Sequence, residues 1–191
     1  QAHRNGRRLY IGTSDLDLPR FVVWNMGLIA DSRRPDALEL FRKVMLASAS
    51  IPVAFPPVMF QVELQPGGPR FDEMHVDGGV GARVFLNGGV FSGTTVRERG
   101  GHGGVGFEDI FVIHNGQLIP QPSPVSRSLA AIAVRVIDAS GRAAAVGDLF
   151  RIYGYAQGEK ASFQWVTIPN DVDMHSDEVF DPAAMQSLYD L

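Results

Sequence analysis

The tripeptide Asp77-Gly78-Gly79 contains the residues whose types and spacing best fit catalysis. A carboxylate at the end of a short strand can act as a general base, and two glycines after it allow tight turning and close backbone approach. A carboxylate in water is a weak base for a serine hydroxyl, so this chemistry requires partial burial and a direct hydrogen bond to the serine. The alternative is that Asp-Gly-Gly forms only a turn.

Other residues that could form a functional site have weaker support from the sequence. His75 lies two residues before Asp77 and should project from the same strand face, where a structural role is favoured over a place in a Ser-His-Asp triad. The five histidines show no spacing that gathers metal ligands on one helix or hairpin, so no metal or other cofactor is expected. Residues 101–106 match Gly-x-Gly-x-x-Gly, a dinucleotide-binding motif that requires a strand before it and a helix after it. Here a predicted strand, residues 111–114, follows the match, which favours a surface loop or a lid over a dinucleotide site.

Length and composition indicate one globular domain spanning residues 1–191. Of these residues 45% are hydrophobic and 20% are charged, and the formal net charge of -4 gives no basic field for nucleic acid. The chain has no cysteine, which excludes disulfides and cysteine nucleophiles but leaves the compartment open. No apolar run approaches the roughly 20 residues needed to span a bilayer.

The elements that must position Asp77 can be predicted from periodicity. Short β-rich runs at 9–13 and 21–24 predict two paired strands, and apolar residues recur at helical spacing from Pro35 until the chain nears Pro52. Residues 111–114 and 163–168 predict two further strands. Two more helical stripes, from Leu129 to Ile137 and from Ala145 to Ala156, are predicted to face a core, with Ser126 or Ser128 capping the first and a break at Ser140-Gly141 left open. Alternating strands and helices predict an α/β domain with a mostly parallel or mixed sheet.

The residues around Asp77 resemble the patatin-like phospholipase family, in particular its bacterial branch. The resemblance covers most of the chain: residues 7–17 and 23–27, the segment Ala-Ser-Ile-Pro-Val-Ala-Phe-Pro-Pro at 49–57, the Asp77 loop, and the closing segments at 147–153, 168–169 and 180–189. It implies a three-layer α/β sandwich, with a central mixed sheet covered by helices, of which this chain is an incomplete C-terminal portion. It also implies hydrolysis of phospholipids or simpler lipid esters by a Ser-Asp dyad, with Asp77 as the base and Gly78 and Gly79 shaping its loop.

The chain departs from the family pattern at the nucleophile. The family serine lies in a Gly-x-Ser-x-Gly turn, but Ser14 has Leu16 two residues after it, and Ser92 is followed directly by Gly93, so neither forms such a turn. The resemblance therefore places the serine and the oxyanion loop on an upstream segment or a companion chain, and this chain alone is expected to be inactive.

Two expectations about partners follow. Residues Phe55, Val58, Met59 and Phe60 are candidates for peripheral contact with a lipid surface, although the same run suits a buried strand. The second function class is a catalytically silent fragment that keeps the fold and acts as a binding or structural module, for which no companion segment is needed.

Overall fold

The computed structural model describes residues 1–86, 109–120, 122–172 and 181–190, and this part of the chain is a mixed α/β structure. In chain order its elements are β1 (Tyr10–Asp15), β2 (Arg20–Asn25), α1 (Met26–Asp31), α2 (Ala37–Ser48), β3 (Val58–Glu63), β4 (Arg70–Asp77), a 3₁₀ turn (Gly78–Val80), β5 (Asp109–His114), α3 (Leu129–Glu159), β6 (Ser162–Thr167) and α4 (Pro182–Tyr189). The structure confirms the pair of strands predicted at 9–13 and 21–24, the further strands predicted at 111–114 and 163–168, and the helix that ends before Pro52. Helix α1 was not predicted.

The described strands form two sheets. The first has four antiparallel strands in the order β2-β1-β4-β3, and the second pairs β5 with β6 in parallel. The connection from β5 to β6 contains α3, as parallel strands require a long crossover, usually a helix. The α/β class predicted from the sequence is therefore correct, but the described strands do not join into one central sheet.

Each sheet has its own core. Helices α1 and α2 cover the four-stranded sheet and bury Met26, Val44, Ala47, Val58 and Phe60. The alternating burial of β3 puts Val58 and Phe60 inside and leaves Met59 about 40% exposed, so the proposed lipid-contact run is in part a core strand. The second core packs β5 and β6 on the C-terminal half of α3 and buries Ile110, Val112, Ile152, Ala156 and Ala161.

The prediction of a core-facing stripe at the start of α3 is wrong. Ser128 caps the helix by accepting a hydrogen bond from Ala131 N, and the helix runs without a break through Ser140-Gly141. Leu129 is 85% exposed and Val136 is 60% exposed. A helix of 31 residues is about 46 Å long, whereas the six-residue strands beside it are about 20 Å long, so its first half extends past the second core.

Candidate active site

Asp77 is the last residue of β4, in the four-stranded sheet. Its backbone pairs with Thr13 of β1, and its N–H donates to Ser50 O at 2.9 Å, which ties the end of β4 to the segment after α2. The side chain is half-buried, and Oδ1 accepts a hydrogen bond from Gly79 N at 2.6 Å. Within the described residues Oδ2 accepts no hydrogen bond, so one carboxylate oxygen holds the turn and the other is open to a further donor.

Gly78 and Gly79 shape this turn, each for a different reason. A Cβ on Gly78 would lie 2.5 Å from Gly12 O, so any side chain there would collide with the backbone of β1. A Cβ on Gly79 would lie 2.8 Å from Asp77 Oδ1, which is the oxygen that accepts the hydrogen bond from Gly79 N. The two glycines therefore allow the carboxylate to fold over its own turn while the turn packs directly on the neighbouring strand.

The turn is connected to the second sheet through residues that sequence reasoning missed. Asp148, 3% exposed in the middle of α3, accepts hydrogen bonds from Arg83 N at 2.9 Å and from Val84 N at 3.0 Å. Arg151 also pairs with Asp148. Phe85 packs edge-on against Phe21 of β2, with ring centroids 4.9 Å apart. Asp148 lies three residues after Ala145 and four before Ile152, so it falls on the apolar stripe of the helix, and a carboxylate at such a position was the signal in the sequence.

His75 belongs to a buried network and makes no hydrogen bond to Asp77. Trp24 Nε1 donates to Thr13 Oγ1 at 2.8 Å, and Thr13 Oγ1 lies 2.8 Å from His75 Nδ1. The threonine hydroxyl has one proton and two lone pairs, so it can accept from tryptophan and still bond Nδ1, while Glu73 Oε2 lies 3.4 Å from His75 Nε2. This arrangement is what a structural histidine requires, and it orients neither ring nitrogen toward Asp77.

Arg20 completes the network from its outer side. Its guanidinium donates to Asp15 Oδ2 and to Glu73 Oε1, both at 3.0 Å. Burial of Asp15 acts to raise its pKa, but hydrogen bonds from Leu18 N, Arg20 and Asp17 N outweigh burial, so the pKa lies below the usual range for an aspartate. The same ion pairs raise the pKa of Arg20.

Asp15, Glu73 and His75 are also the described residues whose geometry could hold a metal ion, with ligand atoms within 4.8 Å of one another. Sequence reasoning missed this group because it combines one residue of β1 with two of β4, although Glu73-x-His75 already placed two ligand types on one strand face. The guanidinium of Arg20 occupies the carboxylates that a metal would use. The trio therefore serves better as an ion-pair network than as a metal centre.

The serines considered from sequence fall in two groups. Ser14 is 4% exposed, and its hydroxyl donates a hydrogen bond to Gly78 O at 3.4 Å. This bond connects β1 to the turn after Asp77. Ser92 and the glycine-rich match at 101–106 lie outside the described residues. Within the parts of the chain that the structure covers, no serine hydroxyl hydrogen-bonds to the Asp77 carboxylate.

Two further clefts lie near α3. One is apolar, about 470 Å³ in volume, and is lined by Leu118, Val146, Leu149, Phe150, Tyr153, Phe163 and Trp165. The other is polar, about 360 Å³ in volume, and opens beside Arg83. No helix among the described residues combines the length and the apolar character that a bilayer span needs.

Comparison with known proteins adds no relative: no family model matches the chain, and neither a curated protein nor a solved structure does.

Proposed function

We propose that this chain is the C-terminal part of a patatin-like acyl hydrolase, in which Asp77 is the general base for a serine supplied by an upstream segment or a companion chain. The observation that carries the proposal is the Asp77 turn. One carboxylate oxygen is fixed by Gly79 N at 2.6 Å, and the other accepts no hydrogen bond from the described residues. A serine hydroxyl donating to Oδ2 would complete a Ser-Asp dyad.

The chemistry assigned to this dyad is ester hydrolysis in two steps. Asp77 takes the serine proton while the serine oxygen attacks the ester carbonyl, and the protonated aspartic acid returns that proton to the leaving alcohol. Water then attacks the acyl-serine, with the same carboxylate accepting and returning a proton. The companion would also supply the N–H groups that stabilise the oxyanion. This chemistry requires no cofactor.

Exposed apolar surfaces support the need for a companion. Strand β5 buries Ile110 and Val112 on α3, but its other face leaves Phe111 66% and Ile113 82% exposed. Parallel strands are usually covered on both faces. The uncovered first half of α3 exposes Leu129 and Val136 in addition. In the proposed three-layer sandwich, the companion strands and helices cover these faces.

The substrate class proposed is a lipid ester, either a phospholipid or a simpler acyl ester. The apolar cleft of about 470 Å³ beside Phe163 and Trp165 has the lining and size that suit an acyl chain. Exposed Phe55 and Met59 support peripheral contact with a lipid surface. A charge of -4 gives no support to nucleic acid as a partner.

The exposed apolar faces also favour a second candidate, a catalytically silent patatin-like module that binds another protein. Such a module buries Phe111 and Ile113 against its partner but makes no use of the open Asp77 oxygen. The two candidates differ in whether changing the Asp77 carboxylate affects a reaction.

Asp77→Asn in the complex with the companion segment tests the proposal. The amide can still accept from Gly79 N but cannot take a proton, so we expect kcat for a short-chain acyl ester to fall at least about 100-fold with unchanged thermal stability. Asp72→Asn is the matched control, since it removes the same charge from an exposed position on β4 and should leave kcat within about twofold. Full turnover by Asp77→Asn would refute the dyad.

A further inference from the structure

A polar cleft of about 360 Å³ lies between the C-terminal end of β5 and the middle of α3. Three arginines line it, and one carboxylate opposes them, so its formal charge is +2 in a chain whose net charge is -4. The residues that decide its chemistry are Arg83, His114, Gln117, Arg135, Asp138 and Arg142. A local concentration of positive charge on an acidic protein indicates an anionic ligand.

Two of the arginines are held by hydrogen bonds to a carboxylate and to backbone oxygens. Arg142 donates to Asp138 Oδ2 at 2.7 Å and to Gln117 O at 3.3 Å, and Arg135 donates to Ser123 O at 2.9 Å. Both arginine side chains are about one-third exposed, at 28% and 34%. Their entropy loss is largely complete before a ligand arrives, which favours binding.

Arg83 approaches the same cleft from the other side. Its guanidinium lies across α3 at Gly141, where the missing Cβ makes the room, and Nη2 donates to Ile137 O at 3.4 Å. No carboxylate among the described residues pairs with its side chain. Asp138 contacts Arg142 at 2.7 Å and Arg135 only at 3.9 Å, so it neutralises the first guanidinium well and the second poorly.

We propose that this cleft is a binding site for a phosphate-type oxyanion, either free phosphate or a phosphate ester. Guanidinium groups donate paired N–H bonds to phosphate oxygens, and a tetrahedral dianion can accept from several of them at once. Its charge matches the formal +2 of the cleft, whereas a single carboxylate would leave half of that charge unmatched. The site is independent of ester hydrolysis at Asp77, although Arg83 also packs against Gly79.

Titration with inorganic phosphate, followed by calorimetry at constant ionic strength set with chloride, tests the site. We expect saturable binding with a dissociation constant of about 1 mM or tighter. Arg135→Gln should weaken binding about tenfold, because it removes a charge-assisted donor. Arg34→Gln is the control: Arg34 pairs with Asp36 at 2.7 Å on the exposed surface beside α2, so its loss should leave phosphate binding unchanged.

Asp138→Asn provides a second variant that retains all three arginines, and its amide oxygen can still accept from Arg142. Removing the competing carboxylate should tighten phosphate binding at least about threefold. Phosphatidylcholine vesicles with and without phosphatidate identify the source of the phosphate: retention on phosphatidate vesicles, lost in Arg135→Gln, assigns a lipid headgroup, and binding to inorganic phosphate alone assigns a soluble ligand. Absence of saturable binding to both probes, or equal binding by Arg135→Gln and Arg34→Gln, would overturn the proposal.

Discussion

Asp15 shows how a buried charge is accommodated in the four-stranded sheet. The side chain is fully buried and pairs with Arg20, whose own side chain is 52% exposed, and two backbone N–H groups donate to the other oxygen. The charge is therefore neutralised from the solvent side while the backbone solvates it from within. The same arginine also holds Glu73, so one exposed cation joins β1, β2 and β4.

Acid should destabilise the fold through Asp15. Its pKa is lower in the folded chain than in the unfolded chain, so its contribution is fully present above the unfolded pKa of about 3.9 and is lost as pH falls through the folded pKa. Asp15→Asn should lower the free energy of unfolding by about 1–3 kcal/mol at pH 7 and flatten its decline in acid, as measured by urea unfolding at several pH values.

Asp36→Asn is the control for that experiment. Asp36 pairs with Arg34 at the surface, where its side chain is 48% exposed, and this kind of pair contributes little to stability. Two results would contradict a stabilising role for the buried network. One is that Asp36→Asn lowers the free energy of unfolding as much as Asp15→Asn does. The other is that the pH dependence of stability is the same in Asp15→Asn as in the unmodified chain.

At the residue scale, the sequence predicted the position of Asp77 but not its environment. Residues 75–77 predict a short strand, and the two glycines after Asp77 predict that the strand ends there. In the structure β4 ends at Asp77. The partners of that region, Ser50 and Asp148, are 27 and 71 residues away in the chain, and only the pairing of strands and helices in three dimensions brings them together. Periodicity carries no information about such contacts.

At the element scale, the turn after β4 depends on a close backbone approach. Gly78→Ala should lower the free energy of unfolding by about 1–3 kcal/mol, because its Cβ would lie 2.5 Å from Gly12 O and the backbone of β1 cannot move aside easily. Chemical denaturation measures the loss. Gly147→Ala serves as the matched control in α3, where a Cβ meets nothing within 4 Å, and it should stabilise the chain by about 0.5–1 kcal/mol. If both substitutions changed the free energy of unfolding by a similar amount, the close contact between Gly78 and the backbone of β1 would not limit the side chain at this position.

Helix α3 explains why amphipathic patterns predict elements better than they predict cores. The spacing from Leu129 to Ile137 correctly indicates a helix, but Leu129 is 85% exposed because the helix extends past the strands beside it. In its second half the same kind of pattern buries Ile152 at 2% exposure. A hydrophobic stripe identifies the surface that needs a partner, and it does not say which chain supplies that partner.

At the scale of the whole molecule, the segment after Asp77 connects the two sheets, because Val84 packs on the second core and Phe85 contacts Phe21 of β2. The α/β class followed from the order of strands and helices, whereas the division into two sheets did not, since strand order depends on pairings between distant segments. The face of β5 that points away from α3 and the first half of α3 each expose apolar side chains. A surface of this kind on a globular protein marks a site of association.

The central claim, that Asp77 serves a serine on a companion segment, is tested most directly by a serine-reactive fluorophosphonate applied to the assembled protein, with mass spectrometry of the labelled peptide. We predict a label outside these 191 residues and a labelling rate that falls at least about tenfold in Asp77→Asn, since the base that activates the serine is lost. A label on Ser14 or any other serine of this chain, or no label at all, would contradict the account.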